Sequence, residues 1–184
     1  MSFYLEIFDP TSNPWEKVKD EIIDLENDIF GDETFDEETL KTGFENPDNT
    51  IIIMRDGDGR AIGYAWATPA KALYKEEDDY QVFQGREASE NTAYIYSLGL
   101  RKEYQGKGLV VRLYDALNQS LLSKGYTRLH RDAEIKNGLA ANILKNNQGK
   151  IINNFEHDSP YGKQMFIDMW IPFLFLPSIH HDGD

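Results

Sequence analysis

An α/β (α+β) fold, a mixed sheet with helices on its faces, is predicted by three observations. Short alternating or wholly apolar runs end at Gly, Pro, Asn and Asp clusters; one run leads into a helix-period stripe of leucines; and the elements fall in the order βααβββαβαββ. At 184 residues the chain has room for one substantial core and too little for two ordinary domains. Residues 1–171 therefore read as a single domain, followed by an apolar tail over 172–184.

Residues 3–8 form the first strand, ended by Asp9-Pro10-Thr11. Ser12 or Asn13 then caps a helix with Pro14 near its first turn, and Trp15, Val18, Ile22, Leu25 and Ile29 make one stripe that stops before Gly31. Thr34 and Glu37 have capping-box spacing for a short second helix carrying Leu40. Residues 50–55 and 61–68 are strands joined by Asp56-Gly57-Asp58-Gly59 as a hairpin. The acids of that turn lack the later ligands and closing Glu of an EF-hand loop, so no calcium site is expected. From 69 to 91 the pattern dissolves into a polar connection containing Lys75-Glu76-Glu77-Asp78-Asp79, read as a solvated insertion or a substrate lid.

Residues 94–100 alternate as a strand, with Tyr94 and Tyr96 on one face. After Arg101-Lys102-Glu103-Tyr104, the turn Gln105-Gly106-Lys107-Gly108 opens directly into a helix whose Leu109, Leu113, Leu117 and Leu121 recur at four-residue spacing, broadened by Val110, Ala116 and Leu122 and stopped at Gly125. A strand over 127–133 and a short helix over 137–147 follow, the helix carrying Leu139, Ala140, Ile143 and Leu144 and stopping at Gly149. Residues 150–155 and 163–171 then pair across His157-Asp158-Ser159-Pro160-Tyr161-Gly162 as a closing hairpin.

The turn before the leucine helix has the makings of a pyrophosphate cradle. Two glycines let backbone N–H groups converge, and the unsatisfied N–H groups and positive dipole end of the helix face the same point. Arg101, Lys102, Lys107 and Arg112 crowd the turn against Glu103 alone, in a chain of net charge −13. No Ser or Thr follows at the place a P-loop needs, and Val111 stands where a dinucleotide fingerprint needs its third glycine. A plain strand-to-helix turn remains the bland alternative.

The charge of −13 opposes nucleic-acid backbones and anionic membranes and favours cationic partners, though solubility alone explains it equally well. No run approaches the roughly 20 apolar residues a membrane span requires. The N-terminus lacks the basic region of a secretory signal, and the absence of cysteine removes disulfides, thiolate nucleophiles and cysteine metal sites, so cytoplasm is the expected compartment. The tail from Trp170 to Ile179 is apolar and must bury on its own domain or on a second copy, as in a homodimer; its His180, His181, Asp182 and Asp184 lie at a terminus, where no metal site is expected.

With Gln105-Gly106-Lys107-Gly108-Leu109 at the mouth of the central helix, this order of elements resembles the GCN5-related N-acetyltransferase (GNAT) superfamily over nearly the whole chain, most specifically across residues 94–149. The resemblance implies a mostly antiparallel central sheet and acetyl-CoA as cofactor. Gln105 and Gly108 match the family's Gln/Arg-x-x-Gly-x-Gly/Ala motif, whose last position is Val110 here. It further implies that the backbone of Leu98, Gly99 and Leu100 binds the thioester carbonyl and pantetheine arm, and that amides from Gln105 through Gly106, Lys107, Gly108 and Leu109 to Val110 bind the pyrophosphate. Asn137 and Ala140 match a second motif, Asn-x-x-Ala-x-x-x-Tyr, and make Asn137 a cofactor contact. Its tyrosine, the usual donor to the leaving thiolate, falls at Leu144, and Lys150 replaces a later phenylalanine.

Acetyl transfer needs a docked thioester, a donor to the developing oxyanion, removal of a proton from an ammonium, and protonation of the thiolate. Asp132 is the first choice of base, lying five residues before Asn137 where several protein N-terminal acetyltransferases of the superfamily carry a glutamate; Glu134 is the reserve. Tyr94 or Tyr96 is the candidate acid or proton relay. The competing readings are that Asp132 pairs with Arg131, Arg128 or a lysine, and that the tyrosines are ordinary strand aromatics. The expected activity is transfer of acetyl to a primary amine by direct attack in a ternary complex, with a small-molecule amine or basic peptide as acceptor. The alternative is a non-catalytic acyl-CoA-binding or sensing module, to which Leu144 lends weight.

Overall fold

The computed structural model describes residues 2–76, 88–159 and 162–172. Its strands are β1 (Phe3–Ile7), β2 (Thr50–Asp56), β3 (Ala61–Pro69), β4 (Thr92–Leu100), β5 (Arg128–Glu134), β6 (Ile151–Ser159) and β7 (Gly162–Trp170). The helices are α1 (Trp15–Phe30), α2 (Glu37–Glu45), α3 (Ala70–Glu76), α4 (Leu109–Ser123) and α5 (Leu139–Asn146). The strands form one seven-stranded sheet in the order β1-β2-β3-β4-β5-β7-β6, antiparallel everywhere except between β4 and β5.

Both faces of the sheet are covered, which is why Thr50 to Met54 of β2 are all buried rather than alternating. Ile52 and Met54 join Leu109, Leu113, Leu117 and Leu121 of α4 in one core. Ile51 and Ile53 turn the other way, toward Trp15, Ile22 and Leu25 of α1 and Leu40 and Phe44 of α2. The four leucines of α4 are each at most 8% exposed, as their spacing predicts.

The structure corrects several local expectations. A helix, α3, occupies the first part of the segment read as a polar connection; seven residues are too few to display a stripe, although Ala70 and Leu73 are buried. Pro14 itself is the first-helix cap, because the hydroxyls of Thr11 and Ser12 are spent on the Asp9 carboxylate. Asp36, not Thr34, caps α2, accepting the Thr39 N–H at 2.7 Å. The lid segment 77–87, the hairpin tip 160–161 and the tail residues 173–184, including the terminal histidines and acids, lie outside the described residues.

Two departures from regular pairing sit at the centre of the sheet. The β3–β4 register slips between Trp66/Ser97 and Ala67/Ile95, leaving Tyr96 as the extra residue of a β-bulge. Parallel pairing of β4 with β5 covers Thr92–Tyr94 against Arg128–His130 and stops there. Beyond it no ladder joins the two strands, so a wedge opens between residues 95–100 and 131–134.

Candidate active site

The glycine turn follows the end of β4, the strand on one side of the wedge. Gly106 and Gly108 adopt φ of 72° and 74°, values that L side chains rarely take, and a Cβ on either would meet nothing within 4 Å. The glycines are therefore required by backbone conformation and leave open space above the turn. Gly108 directly precedes α4, whose first turn has no side-chain cap, so its N–H groups are available to an anion. The Gln105 side chain donates to the Leu100 carbonyl at 2.9 Å, tying the turn back to the end of β4.

The cations near this turn divide into two sets. Arg101 is 2% exposed and turns away, its guanidinium donating to Asp24 at 2.6 Å, Asp28 at 2.9 Å and the Ala61 carbonyl at 2.9 Å. It pins β4 to α1 and cannot serve the cradle. Lys107 donates to the Glu103 carbonyl at 2.6 Å and lies over the Tyr104 ring, Arg112 lies over the Phe3 ring, and Lys102 is exposed. These three remain on the exposed side of the turn.

Along β4, Leu98 and Leu100 pack into the α4-side core, while Gly99 faces α1 so closely that a Cβ would lie 2.4 Å from Ile29 Cγ2. Leu109 is buried and Val110 is 42% exposed. Asn137 directly precedes Gly138, the N-cap of α5: its Oδ1 accepts the Leu139 N–H at 2.9 Å and its Nδ2 donates to Glu134 at 2.5 Å. Leu144 is half-buried against the α4-side core.

On the opposite face of the wedge the bulge puts Tyr96 and Ser97 side by side. Tyr94, two residues earlier, donates its hydroxyl to Asp132 Oδ2 at 2.6 Å, and Asp132 Oδ1 lies 2.7 Å from His157 Nε2 on β6. Asp132 is thus joined to Tyr94 and His157, whereas the guanidinium of Arg131 lies on the α4 face over the Tyr114 ring. A parallel chain runs beside it. Tyr74 of α3 stacks on His130, with its hydroxyl 2.5 Å from Nδ1; His130 Nε2 lies 3.3 Å from Asp168, which Arg128 clamps with two guanidinium nitrogens. Burial pushes the Asp168 carboxyl up, but the hydrogen bonds from Arg128 and the nearby His130 ring outweigh it and hold the group below the usual carboxylate range.

A pocket of about 260 Å³ opens beside the bulge, lined by Trp66, Tyr96, Thr39, Thr42, Asn46 and Glu38 among others. Trp66 and Tyr96 lie ring to ring, 4.5 Å between centroids, and Glu38 is the only charged side chain among its described lining residues. The sequence reading missed His157, Trp66 and Tyr74. The first lay in a segment read as a turn, and nothing in the local pattern around the other two connects them to Asp132 or Tyr96. No group of three or more His, Cys, Asp or Glu arranged to hold a metal occurs among the described residues, and no described helix is long and apolar enough to cross a membrane.

Residues 15–144 match the family profile described as the acetyltransferase (GNAT) family. Among solved structures, the ribosomal-protein-S18-alanine N-acetyltransferase of Escherichia coli is similar at 13% identity and a TM-score of 0.64, over 95% of this chain and 97% of that one. An aminoglycoside 6'-acetyltransferase type Ii is similar at 16% identity and a TM-score of 0.63, over 92% of this chain and 97% of that one. A Salmonella typhimurium protein whose structure holds its cofactor acetyl-CoA is similar at 16% identity and a TM-score of 0.60, over 97% and 99% of the two chains. No curated protein matches the chain.

Proposed function

The chain belongs to the acetyltransferase (GNAT) family, and from that premise we propose that it transfers acetyl from acetyl-CoA to a primary amine by direct attack within a ternary complex. The observation that carries this reading is the wedge between β4 and β5 with an uncapped helix N-terminus and two positive-φ glycines following the end of β4. A slender, hydrogen-bonding arm fits between strand edges, and an anionic group fits the turn.

Acetyl-CoA, when bound, supplies an activated thioester. In this reading the amides of Gln105 to Val110 hold its pyrophosphate, with Lys102, Lys107 and Arg112 contributing charge, and the backbone of Leu98, Gly99 and Leu100 holds the arm and the thioester carbonyl. Asn137 is a further contact to the arm. Asp132 takes the ammonium proton, directly or through the Tyr94 hydroxyl that already donates to it, and His157 orients the carboxylate. As the nitrogen bonds to the acetyl carbon and the carbon–sulfur bond breaks, Tyr96, at the bulge, gives a proton to the departing sulfur and is resupplied by the second proton that the nitrogen loses; the first, taken by Asp132, passes to solvent.

The pocket of Trp66, Tyr96 and Glu38 receives the acceptor, and its lone carboxylate with aromatic walls favours a cationic small molecule or basic peptide. Some structurally similar proteins are named for acceptors of both kinds, a ribosomal protein and an aminoglycoside. One observation favours a second reading, a non-catalytic CoA-binding module: Leu144 cannot donate a proton.

A thiol-release assay with acetyl-CoA against polyamines, amino acids, aminoglycosides and basic peptides, paired with CoA calorimetry, tests both. Turnover establishes the transferase and its acceptor class. CoA binding with silence across the panel favours the second reading, and absence of CoA binding sinks both.

A further inference from the structure

The α1-side core contains an acid that the proposed chemistry does not use. Glu26, in the last third of α1, is 1% exposed, and no cation lies within ion-pairing distance of it among the described residues. Its Oε1 accepts the backbone N–H of Phe35 at 3.3 Å and its Oε2 meets the Tyr64 hydroxyl in a short hydrogen bond. The same Tyr64 hydroxyl lies 2.8 Å from Ser97 Oγ. Burial pushes the Glu26 carboxyl above its usual range, against the hydrogen bonds from Tyr64 and Phe35.

A buried, unpaired carboxyl costs stability, and an apolar side chain of similar size would fill the space more favourably. The three contacts indicate what the acid does instead. Phe35 belongs to the loop between α1 and α2, and its ring packs on Tyr96 at 5.2 Å and on Trp66 at 6.0 Å, the two aromatic walls of the pocket. Ser97 is the residue next to Tyr96 at the bulge. One carboxyl therefore holds the loop whose Phe35 packs on both aromatic walls and, through Tyr64, the bulged strand that carries one of them.

We propose that Glu26 is a positioning residue for the acceptor amine, a buried strut whose links to Phe35 and, through Tyr64, to Ser97 fix the packing of Phe35 against Trp66 and Tyr96, the aromatic walls of the pocket. The amine-binding role of that pocket rests on the functional reading above; the strut itself does not. Either proton arrangement keeps the chain continuous. With Glu26 ionised, Tyr64 donates to the carboxylate and Ser97 to the phenol oxygen. With Glu26 protonated, the acid donates to Tyr64 and Tyr64 donates to Ser97. Glutamine reproduces the second arrangement, since its amide nitrogen can donate to Tyr64 while its oxygen accepts from Phe35.

The test compares Glu26→Ala, Glu26→Gln and Tyr64→Phe in the full chain by amide hydrogen exchange and by steady-state kinetics. Glu26→Ala is expected to speed exchange across residues 31–38 while α4 peptides stay unchanged, and to raise KM for the amine about tenfold with KM for acetyl-CoA unchanged. Glu26→Gln is expected to restore both. Tyr64→Phe keeps the Phe35 link and cuts Ser97, so it should spare exchange at 31–38 and still raise the amine KM; it also serves if Glu26→Ala fails to fold. Unchanged exchange at 31–38 in a folded Glu26→Ala protein overturns the strut, as does a uniform rise in exchange with both KM values moving together. A wild-type protein that transfers no acetyl sinks the transferase reading, while the exchange experiment still decides whether Glu26 holds the loop.

Discussion

His157 Nε2 lies 2.7 Å from Asp132 Oδ1, although β7 separates their strands in the sheet and 25 residues separate them in sequence. The other oxygen of Asp132 accepts the Tyr94 hydroxyl, so one carboxylate is shared between a phenol on β4 and an imidazole on β6. A carboxylate held from both sides is fixed in orientation, which is what removal of a proton from a bound ammonium calls for.

Replacing Asp132 with Asn is expected to lower kcat by about two to three orders of magnitude, the usual scale of general-base catalysis, with CoA affinity unchanged. His157→Gln, which keeps a hydrogen bond to Asp132, is expected to cost about tenfold. Steady-state rates with calorimetric CoA binding check both, and loss of CoA binding in Asp132→Asn would reassign the residue to the fold.

Gly108→Ala meets no neighbouring atom, so its cost arises from holding alanine at φ 74°, about 1 kcal/mol in stability. Its effect on CoA should be larger than that figure suggests, because the new methyl occupies the open side of the cradle. A tenfold or greater weakening of CoA binding, with a small fall in Tm, is the expected pair of results from calorimetry and thermal denaturation.

Arg101 separates a fold role from a cofactor role. Arg101→Met should cost about 2 kcal/mol by leaving Asp24, Asp28 and the Ala61 carbonyl without their donor, while CoA affinity stays within twofold of wild type. Lys107→Ala should do the reverse, weakening CoA binding with little change in urea denaturation.

Glu26 gives a pH dependence whose sign is fixed by the direction of its shift. Burial raises the folded-state pKa above the ordinary glutamate value of about 4.5, so the stability that Glu26 contributes is fully present below about that pH and is lost as pH rises through the folded value. Glu26→Gln removes this loss. Its Tm should exceed that of wild type at pH 7 to 8, and the gap should close on acidification toward pH 4.5. A constant gap across that range would place the titration elsewhere.

The turn, the leucine helix and the order of strands were legible because each is a local pattern: residue spacing for the helix, two glycines for the turn. The bulge was not. Alternation over residues 94–100 puts Ser97 on the α4 side, and only the slipped pairing with β3 turns it to the Glu26 side. Arg101 was misassigned for a similar reason, since proximity in sequence to Lys102 and Lys107 says nothing of direction, and its carboxylate partners lie more than 70 residues upstream. His157 became visible only once β7 was placed between β5 and β6, a register that no local signal encodes.

Because β4 and β5 hold together over only three residue pairs, the sheet is nearly two sheets sharing a short seam. In the proposed reading CoA lies in that gap in the place of a missing strand, and its binding would then brace the seam. Protein purified without CoA should be the form that clumps on storage, through unsatisfied strand edges seeking one another, and protein kept with CoA the form that stays dispersed.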